Sequence, residues 1–344
     1  MPENPVIAID AMGGDFGPEV TVAAAIKALK SNPRMKIILV GLEDELKAEL
    51  SRLQTRTSEH LSVYHASETI AMDESPSQAL RKKKDSSMRV MINLVHEGKA
   101  NAAVSAGNTG ALMATAKFVL KTLPGIDRPA IMTTLPNMKA HTHMLDLGAN
   151  VDSSAEHLFQ FAVMGAVTAS AVDNIENPRV GLLNVGSEAM KGNAQVKAAE
   201  PLLQNSNLNY IGFVEGDDIY NGRVDVVVCD GFVGNVSLKS AEGVAKMITQ
   251  FMREEFGRNI FTKLIALIAM PVLKSFKGRV DHRRYNGASL LGLNDIVIKS
   301  HGGADVYAFS QAINVAGLEV EKAVPQCIDS HLDSMLEKSD TASA

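Results

Sequence analysis

The sequence predicts an α/β fold: an open, mixed but mostly parallel sheet with helices on both faces. Three observations carry this. Short β-branched apolar runs alternate with longer segments of helical period, most runs end in Gly, Asp or Asn, and small-residue turns join them to the next helical segment. A run that is apolar throughout, without polar alternation, is buried on both faces, as parallel strands under crossover helices are.

Val6-Ile7-Ala8-Ile9-Asp10 reads as the first strand, Gly13-Gly14 as its turn, and Pro18 as the opening of a helix to about Lys30. Proline suits a first helical turn because its missing N–H would have no partner there. Lys36 to Gly41 is a second strand and Glu43 to Leu53 a second helix. Ala102 to Ser105 leads through Gly107 into a helix from about Thr109 to Leu120. His143 to Leu147 leads into a helix over 153–171. Arg179 to Val185 and Val224 to Cys229 repeat the pattern, with helices after Gly192 and Gly234, and Ile296-Val297-Ile298 is a further strand. No linker, repeat or low-complexity tract interrupts the chain. Residues 1–332 therefore read as one α/β domain, and 333–344 as a flexible tail.

Composition narrows the function. Of 344 residues, 46% are hydrophobic and 21% charged, enough apolar mass for a sizeable core. Lys and Arg number 34 against 39 Asp and Glu, and a net charge of −5 argues against a general nucleic-acid binder. Two cysteines, Cys229 and Cys327, make no disulfide framework and point to a reducing cytoplasm. The opening MPENPVIAID lacks the basic start and apolar stretch of a signal peptide. No window approaches the roughly 20 apolar residues of a membrane span.

One segment departs from that average. Between 253 and 284 stand eight basic and three acidic residues, +5 in a chain of −5, leaving −10 elsewhere. The same segment holds Phe261, Leu264, Ile265, Ile268 and Leu273. Two helices, about 241–258 and 260–277, are expected to form a projecting hairpin within 244–284. Its basic and apolar surface suits an anionic membrane face or an acidic protein, and packing in a dimer interface is the competing use.

The candidate site lies in glycine turns after strands: Asp10 to Asp15, Ser105 to Gly110, Asp146 to Asn150, Asn184 to Glu188, Lys191 to Asn193 and Asp230 to Asn235. Open α/β sheets bind ligands beyond the carboxyl ends of their strands. Glycine lets backbone approach a ligand there, and helix N-termini offer N–H groups to an anion. The set predicts a phosphate or oxyanion site. It matches no nucleotide fingerprint: GxxxxGK[ST] is missing, and no GxGxxG follows the first strand, so no cofactor is expected. HExxH, CxxC and GxSxG are missing too. Cys229, inside an apolar strand, reads as a buried inert thiol. His141 and His143 alternate as two metal ligands on a strand would, but no third ligand stands near them in sequence, so no metal site is expected. His301, in the turn Ser300-His301-Gly302-Gly303, is placed to face the site.

With these residues in view, the chain resembles the bacterial phosphate acyltransferase family of phospholipid synthesis (the PlsX type). The resemblance runs from Asp10 to about Leu332. It rests on AIDAMGGD at Ala8–Asp15, SAGNTGALM at Ser105–Met113, LDLGANVD at Leu145–Asp152, KGN at Lys191–Asn193 and CDGFVGNVSLKSAEG at Cys229–Gly243. YNGASLLG at Tyr285–Gly292 and SHG at Ser300–Gly302 complete it. Asn294-Asp295 departs from the glycine many relatives carry in that turn. A weaker echo, Gly14-Asp-Phe-Gly-Pro-Glu19, is similar to the opening of the isopropylmalate and isocitrate dehydrogenase group, whose fold phosphotransacetylases share. No matching set of metal-binding aspartates accompanies it.

The resemblance implies a fold like those groups and attack of inorganic phosphate on the thioester of acyl-acyl carrier protein, with no covalent enzyme intermediate. On that reading Lys191, Asn235 and His301 are catalytic. Ser105, Gly107, Asn108, Thr109, Asn150, Asn193 and Gly234 bind phosphate or oxyanion, and Asp10, Gly13, Gly14 and Asp15 orient the loop. It implies acyl carrier protein and phosphate as partners, and acyl carrier protein is then the acidic protein that the 253–284 segment would suit. Cysteine usage and that segment add the expectation of a homodimer and of a cytoplasmic protein touching the membrane from inside. The alternatives are a metal- and nicotinamide-dependent hydroxy-acid dehydrogenase and a non-catalytic membrane or carrier-protein adaptor.

Overall fold

The apolar runs become the strands of one sheet. The structure, a computed structural model, describes residues 4–188 and 190–332; the expected tail 333–344 lies outside them. In chain order the elements are β1 (Val6–Asp10), α1 (Pro18–Ser31), β2 (Lys36–Gly41), α2 (Glu43–Arg52), β3 (Leu61–His65), α3 (Pro76–Lys82), α4 (Ser87–His96) and β4 (Ala102–Ser105). They continue with α5 (Thr109–Leu120), β5 (Ala130–Pro136), β6 (His141–Leu145), α6 (Ala155–Asp173), β7 (Arg179–Leu183), α7 (Ala194–Gln204), β8 (Asn209–Val214), α8 (Asp218–Asn221) and β9 (Val226–Val228). Last come α9 (Gly231–Gly257), α10 (Ile260–Ile268), α11 (Met270–Val280), a 3₁₀ turn (His282–Tyr285), β10 (Ala288–Leu291), β11 (Ile296–Lys299) and α12 (Val306–Glu321).

The strand order is β3-β2-β1-β4-β11-β10-β5-β6-β9-β7-β8. From β3 to β11 neighbours are parallel, and from β6 to β8 they are parallel again. Between these blocks β10 pairs antiparallel with both β11 and β5, and β5 antiparallel with β6. The two blocks therefore run in opposite senses. Alternation within a strand sends side chains to both faces. On β1, Ile7 and Ile9 pack with Val22 of α1 and Phe309 of α12, while Ala8 joins Met88 of α4 and Leu112 of α5 on the other face. In the second block Leu145 and Val228 pack with Leu158 and Phe161 of α6.

Helix ends follow local chemistry. Asn108, Ser154, Asn193, Asp230 and Asp305 each accept an N–H of the first turn of the helix they precede. Two corrections concern α9 to α11. The Gly231–Asn235 stretch is not a turn before a helix; α9 starts at Gly231, because Asp230 caps it and the small residues let it dock closely on β6. The expected pair of helices is a run of three, since Pro271, within the first turn of α11, lacks the N–H that would continue α10. None of the nine residues of α10 is buried, and Phe261, Leu264, Ile265 and Ile268 are each more than half exposed. Leu273 is half-buried. Among the described residues no helix is long and apolar enough to cross a membrane.

Candidate active site

Two polar clusters form at strand ends, and the first turns of α9 join them. The first surrounds Asp10, the buried last residue of β1. One carboxylate oxygen accepts the Ser87 hydroxyl at 2.6 Å and the other the Ser105 hydroxyl at 2.7 Å, with the N–H groups of Met12 and Gly13 adding to them. Burial raises the Asp10 pKa and these four hydrogen bonds oppose it. Gly13 is required: a Cβ there would lie 2.6 Å from the Asp10 carboxylate and 2.8 Å from the Gly107 nitrogen. The Ser105 hydroxyl also accepts the Gly107 N–H at 3.0 Å. Gly14 and Asp15 lie against Ala106 and Gly302, and the Asp15 N–H donates to the Gly302 carbonyl at 3.0 Å.

Lys299, at the end of β11, supplies the positive charge. Its buried ammonium donates to the carbonyls of Ala106 (3.2 Å) and Ser300. Burial pulls its pKa down to about 8, although the carboxylates of Asp10 and Asp15 hold it up. His301 follows two residues on. Its Nδ1 accepts the Gly303 N–H at 3.0 Å, so the neutral ring carries its proton on Nε2. Desolvation and then the Lys239 ammonium of α9 lower its pKa, which keeps that neutral form populated.

The second cluster surrounds Asp146, fully buried after β6. One oxygen accepts the N–H groups of Ile131 (2.9 Å) and Ala149 (3.1 Å); the other accepts the Asn150 N–H (2.6 Å) and side-chain amide (3.0 Å). Burial raises its pKa against these bonds. The Gly231 N–H donates to the Asn150 carbonyl at 2.9 Å. Gly234 lies so close that a Cβ there would stand 1.9 Å from the Asp146 carbonyl oxygen. Asn235 is exposed beside Gly148. From there α9 runs about 12 Å, at 1.5 Å per residue, from Gly231 to Lys239. The Lys239 charge acts on both Lys299 and His301.

The expected side-chain donors are largely engaged inside the protein. Asn108 caps α5, accepting the Ala111 N–H at 3.0 Å, and its amide donates to the carbonyls of Met72 and Glu74 at 2.9 Å each. Asn150 gives its amide to Pro129 as well as Asp146, and Asn193 caps α7 by accepting the Val196 N–H at 2.9 Å. The N–H groups of Val233 and Gly234 are taken by Asp230. These residues hold the loops in place. At the start of α5, Thr109 and Gly110 are exposed, and N–H groups at those two positions have no partner within the helix. Lys191 stands on the rim, half-exposed, with its ammonium 2.8 Å from Glu188. Its loop connects to the second cluster through Gln195, which donates to the Asp230 carboxylate at 3.1 Å. The structure does not bring Lys191, Asn235 and His301 into mutual contact.

Sequence reasoning passed over Lys299 and Ser87, and gave Asp146 and Asp230, which open two of the candidate turns, no role of their own. Lys299 had a signal, a lysine closing the apolar strand Ile296-Val297-Ile298 just before Ser300-His301-Gly302. Asp146 and Asp230 had one too, since each follows a strand as Asp10 does. Ser87 had none.

Comparison with known proteins decides the family. The model of the family described as "Fatty acid synthesis protein" matches residues 6–327. The chain is 62% identical over 336 residues to a phosphate acyltransferase of Alkalilimnicola ehrlichii, covering 98% of each. The chain belongs to the phosphate acyltransferase family. A phosphate acyltransferase of Nitrosococcus oceani is 60% identical over 96% of this chain and 97% of its own length. One of Legionella pneumophila strain Paris is 56% identical over 97% and 98%. Among solved structures, the EutD phosphotransacetylase from Staphylococcus aureus aligns with a TM-score of 0.60 at 16% identity, covering 92% of this chain and 94% of that one. A phosphotransacetylase from Streptococcus pyogenes aligns equally well at 19% identity, covering 94% and 95%. These two likenesses show that family members and phosphotransacetylases share the fold.

Proposed function

We propose that the protein is an acyltransferase that moves a fatty acyl group from acyl-acyl carrier protein to inorganic phosphate. A phosphate oxygen attacks the thioester carbonyl, the C–S bond breaks, and acyl phosphate and the free carrier thiol result. Phosphate is already an anionic nucleophile, so the protein's task is to position it and to stabilise a second developing anion. The observation that carries this reading is the buried Lys299 ammonium among glycine turns beside the open N-terminus of α5. Backbone N–H groups and a desolvated cation are what two approaching anions need. The neutral His301, with its proton on Nε2, is suited to donate a hydrogen bond to the developing thiolate, which then takes its proton from solvent. Asp10 and Asp146 orient loops and do not meet phosphate, because a carboxylate repels it. Lys191 on the rim would exchange Glu188 for the anionic substrate.

The test is to mix the protein with acyl-acyl carrier protein and phosphate and trap acyl phosphate with hydroxylamine. Product that needs all three components is expected. Lys191→Ala should lower turnover at least tenfold while the fold persists, as losing one charged donor to a transition state does. Near-normal turnover in that variant would remove Lys191 from the mechanism, and no product from the parent would overturn the activity.

The exposed helices give the protein a place to work. The faces of α9 and α10 that carry Met247, Phe251, Phe261, Leu264, Ile265 and Ile268 are proposed to serve a second copy of the chain and an anionic membrane surface, with basic residues beside them. Membrane contact would keep a cytoplasmic enzyme close to the lipids its product serves. Leu264→Glu/Ile268→Glu is expected to abolish flotation with anionic liposomes. Flotation retained at an unchanged oligomeric state would sink the membrane assignment.

A further inference from the structure

His141 and His143 open β6, two residues apart and therefore on one face of the strand. The third ligand missing from the local sequence is Asp173, the last residue of α6. Its Oδ2 lies 2.9 Å from His141 Nε2 and 2.6 Å from His143 Nε2. The three ligand atoms all fall within 4.8 Å of one another. Tetrahedral zinc bonds of about 2.0–2.1 Å set ligand atoms about 3.4 Å apart, so small rotations close the set around an ion. Three further features fit. Thr134 Oγ1 stands 3.1 Å from His143 Nδ1, the outer hydrogen bond that fixes the tautomer of a metal-binding imidazole. The carboxylate sits at a helix C-terminus, where the backbone dipole favours a cation. His141 and Asp173 are partly exposed, which gives an ion a way in, while His143 is buried.

We propose that His141, His143 and Asp173 bind one divalent cation of the zinc class, with water completing the coordination. The site lies on the sheet edge that bears His301, three strands away or about 14 Å at about 4.8 Å per strand, with the His141 ring 6.3 Å from that of Tyr285. Asp146 stands at the other end of β6, five residues or about 16 Å away at 3.3 Å per residue. The bound ion ties the start of β6 to the end of α6, so its role is to brace the second parallel block. The assignment is independent of the acyl-transfer reading.

The experiment uses the full chain, stripped with a chelator and titrated with Co(II) alone as a zinc-class probe, then with Zn(II) in competition. The expected result is one equivalent per chain, with the intense visible bands of a tetrahedral Co(II) centre that Zn(II) abolishes. Zn(II) should also raise the melting midpoint. His141→Ala, at the more exposed ligand, and Asp173→Asn should each weaken binding at least tenfold and remove the bands and the melting shift, with far-UV circular dichroism unchanged. If one variant fails to fold, the other decides; if both fail, the bands of the parent decide. Absence of saturable binding to the parent, octahedral bands only, or variants that bind as the parent does would each overturn the proposal.

Discussion

Asp10→Ala is expected to abolish acyl-phosphate formation and to destabilise the protein by about 2–6 kcal/mol before relaxation, the result of leaving two buried polar groups unsatisfied. The carboxylate it removes accepts the hydroxyls of Ser87 and Ser105 and helps hold the Lys299 ammonium charged. Without it two buried hydroxyls lose their acceptor, at about 1–3 kcal/mol each before relaxation. Lys299 loses the larger of its compensating charges, so its pKa falls further below about 8. An anion beside an ammonium raises that ammonium's pKa, and removing the anion lowers it. Asp10→Asn keeps one acceptor and the shape, and should retain some activity, with the alkaline limb of its pH profile moved to lower pH. Denaturant unfolding with the hydroxylamine assay measures both effects. Destabilisation below about 1 kcal/mol, the level of an ordinary surface change, would show that Asp10 is not the centre of this cluster.

Gly234→Ala is the second large effect. Its Cβ would sit 1.9 Å from the Asp146 carbonyl oxygen and 2.9 Å from the Cys229 sulfur. The nearer atom is backbone, fixed by the pairing of β6 with β9, so α9 has to move. A shift of about 1 Å in a positioning element costs on the order of a hundredfold in rate, and overpacking costs about 1–3 kcal/mol or more. The control lies on the same helix. Gly243 has nothing within 4 Å of its would-be Cβ, so Gly243→Ala should leave activity intact and stabilise by about 0.5–1 kcal/mol through helix propensity. Equal behaviour of the two variants would rule out close docking of α9 on β6 as the cause.

Fold class and the edges that bear the loops were legible because continuous apolar strands and glycine turns are local signals. The span 54–101 was not: β3 and α3 there are only five and seven residues long and mixed in polarity, so neither period stands out in them. The reversal of the sheet at β10 and β5 was hidden as well, since pairing direction leaves no mark on a four-residue strand. Within the site, residue type revealed that Asn108, Asn150 and Asn193 are donors but not where their bonds go. A cap and a ligand contact need the same side chain. The start of α9 was misplaced because its small residues look like a turn, and Asp230 as its cap is visible only with the helix in view. Asp173 lies 30 residues from His143, and only folding brings it there.

The order of strands also sets an order in time. β10 and β11, from residues 288–299, fill the middle of the sheet between β4 and β5, which are made far earlier. At about 5–20 residues per second, a ribosome takes roughly 10–40 s to go from β4 to β11. Once β5 (130–136) has been made, two strand edges with apolar faces stand open for the rest of that interval, and such edges recruit other chains. A late-made segment closes the centre of the sheet, so the two parallel blocks join into one sheet only after β10 and β11 have been made.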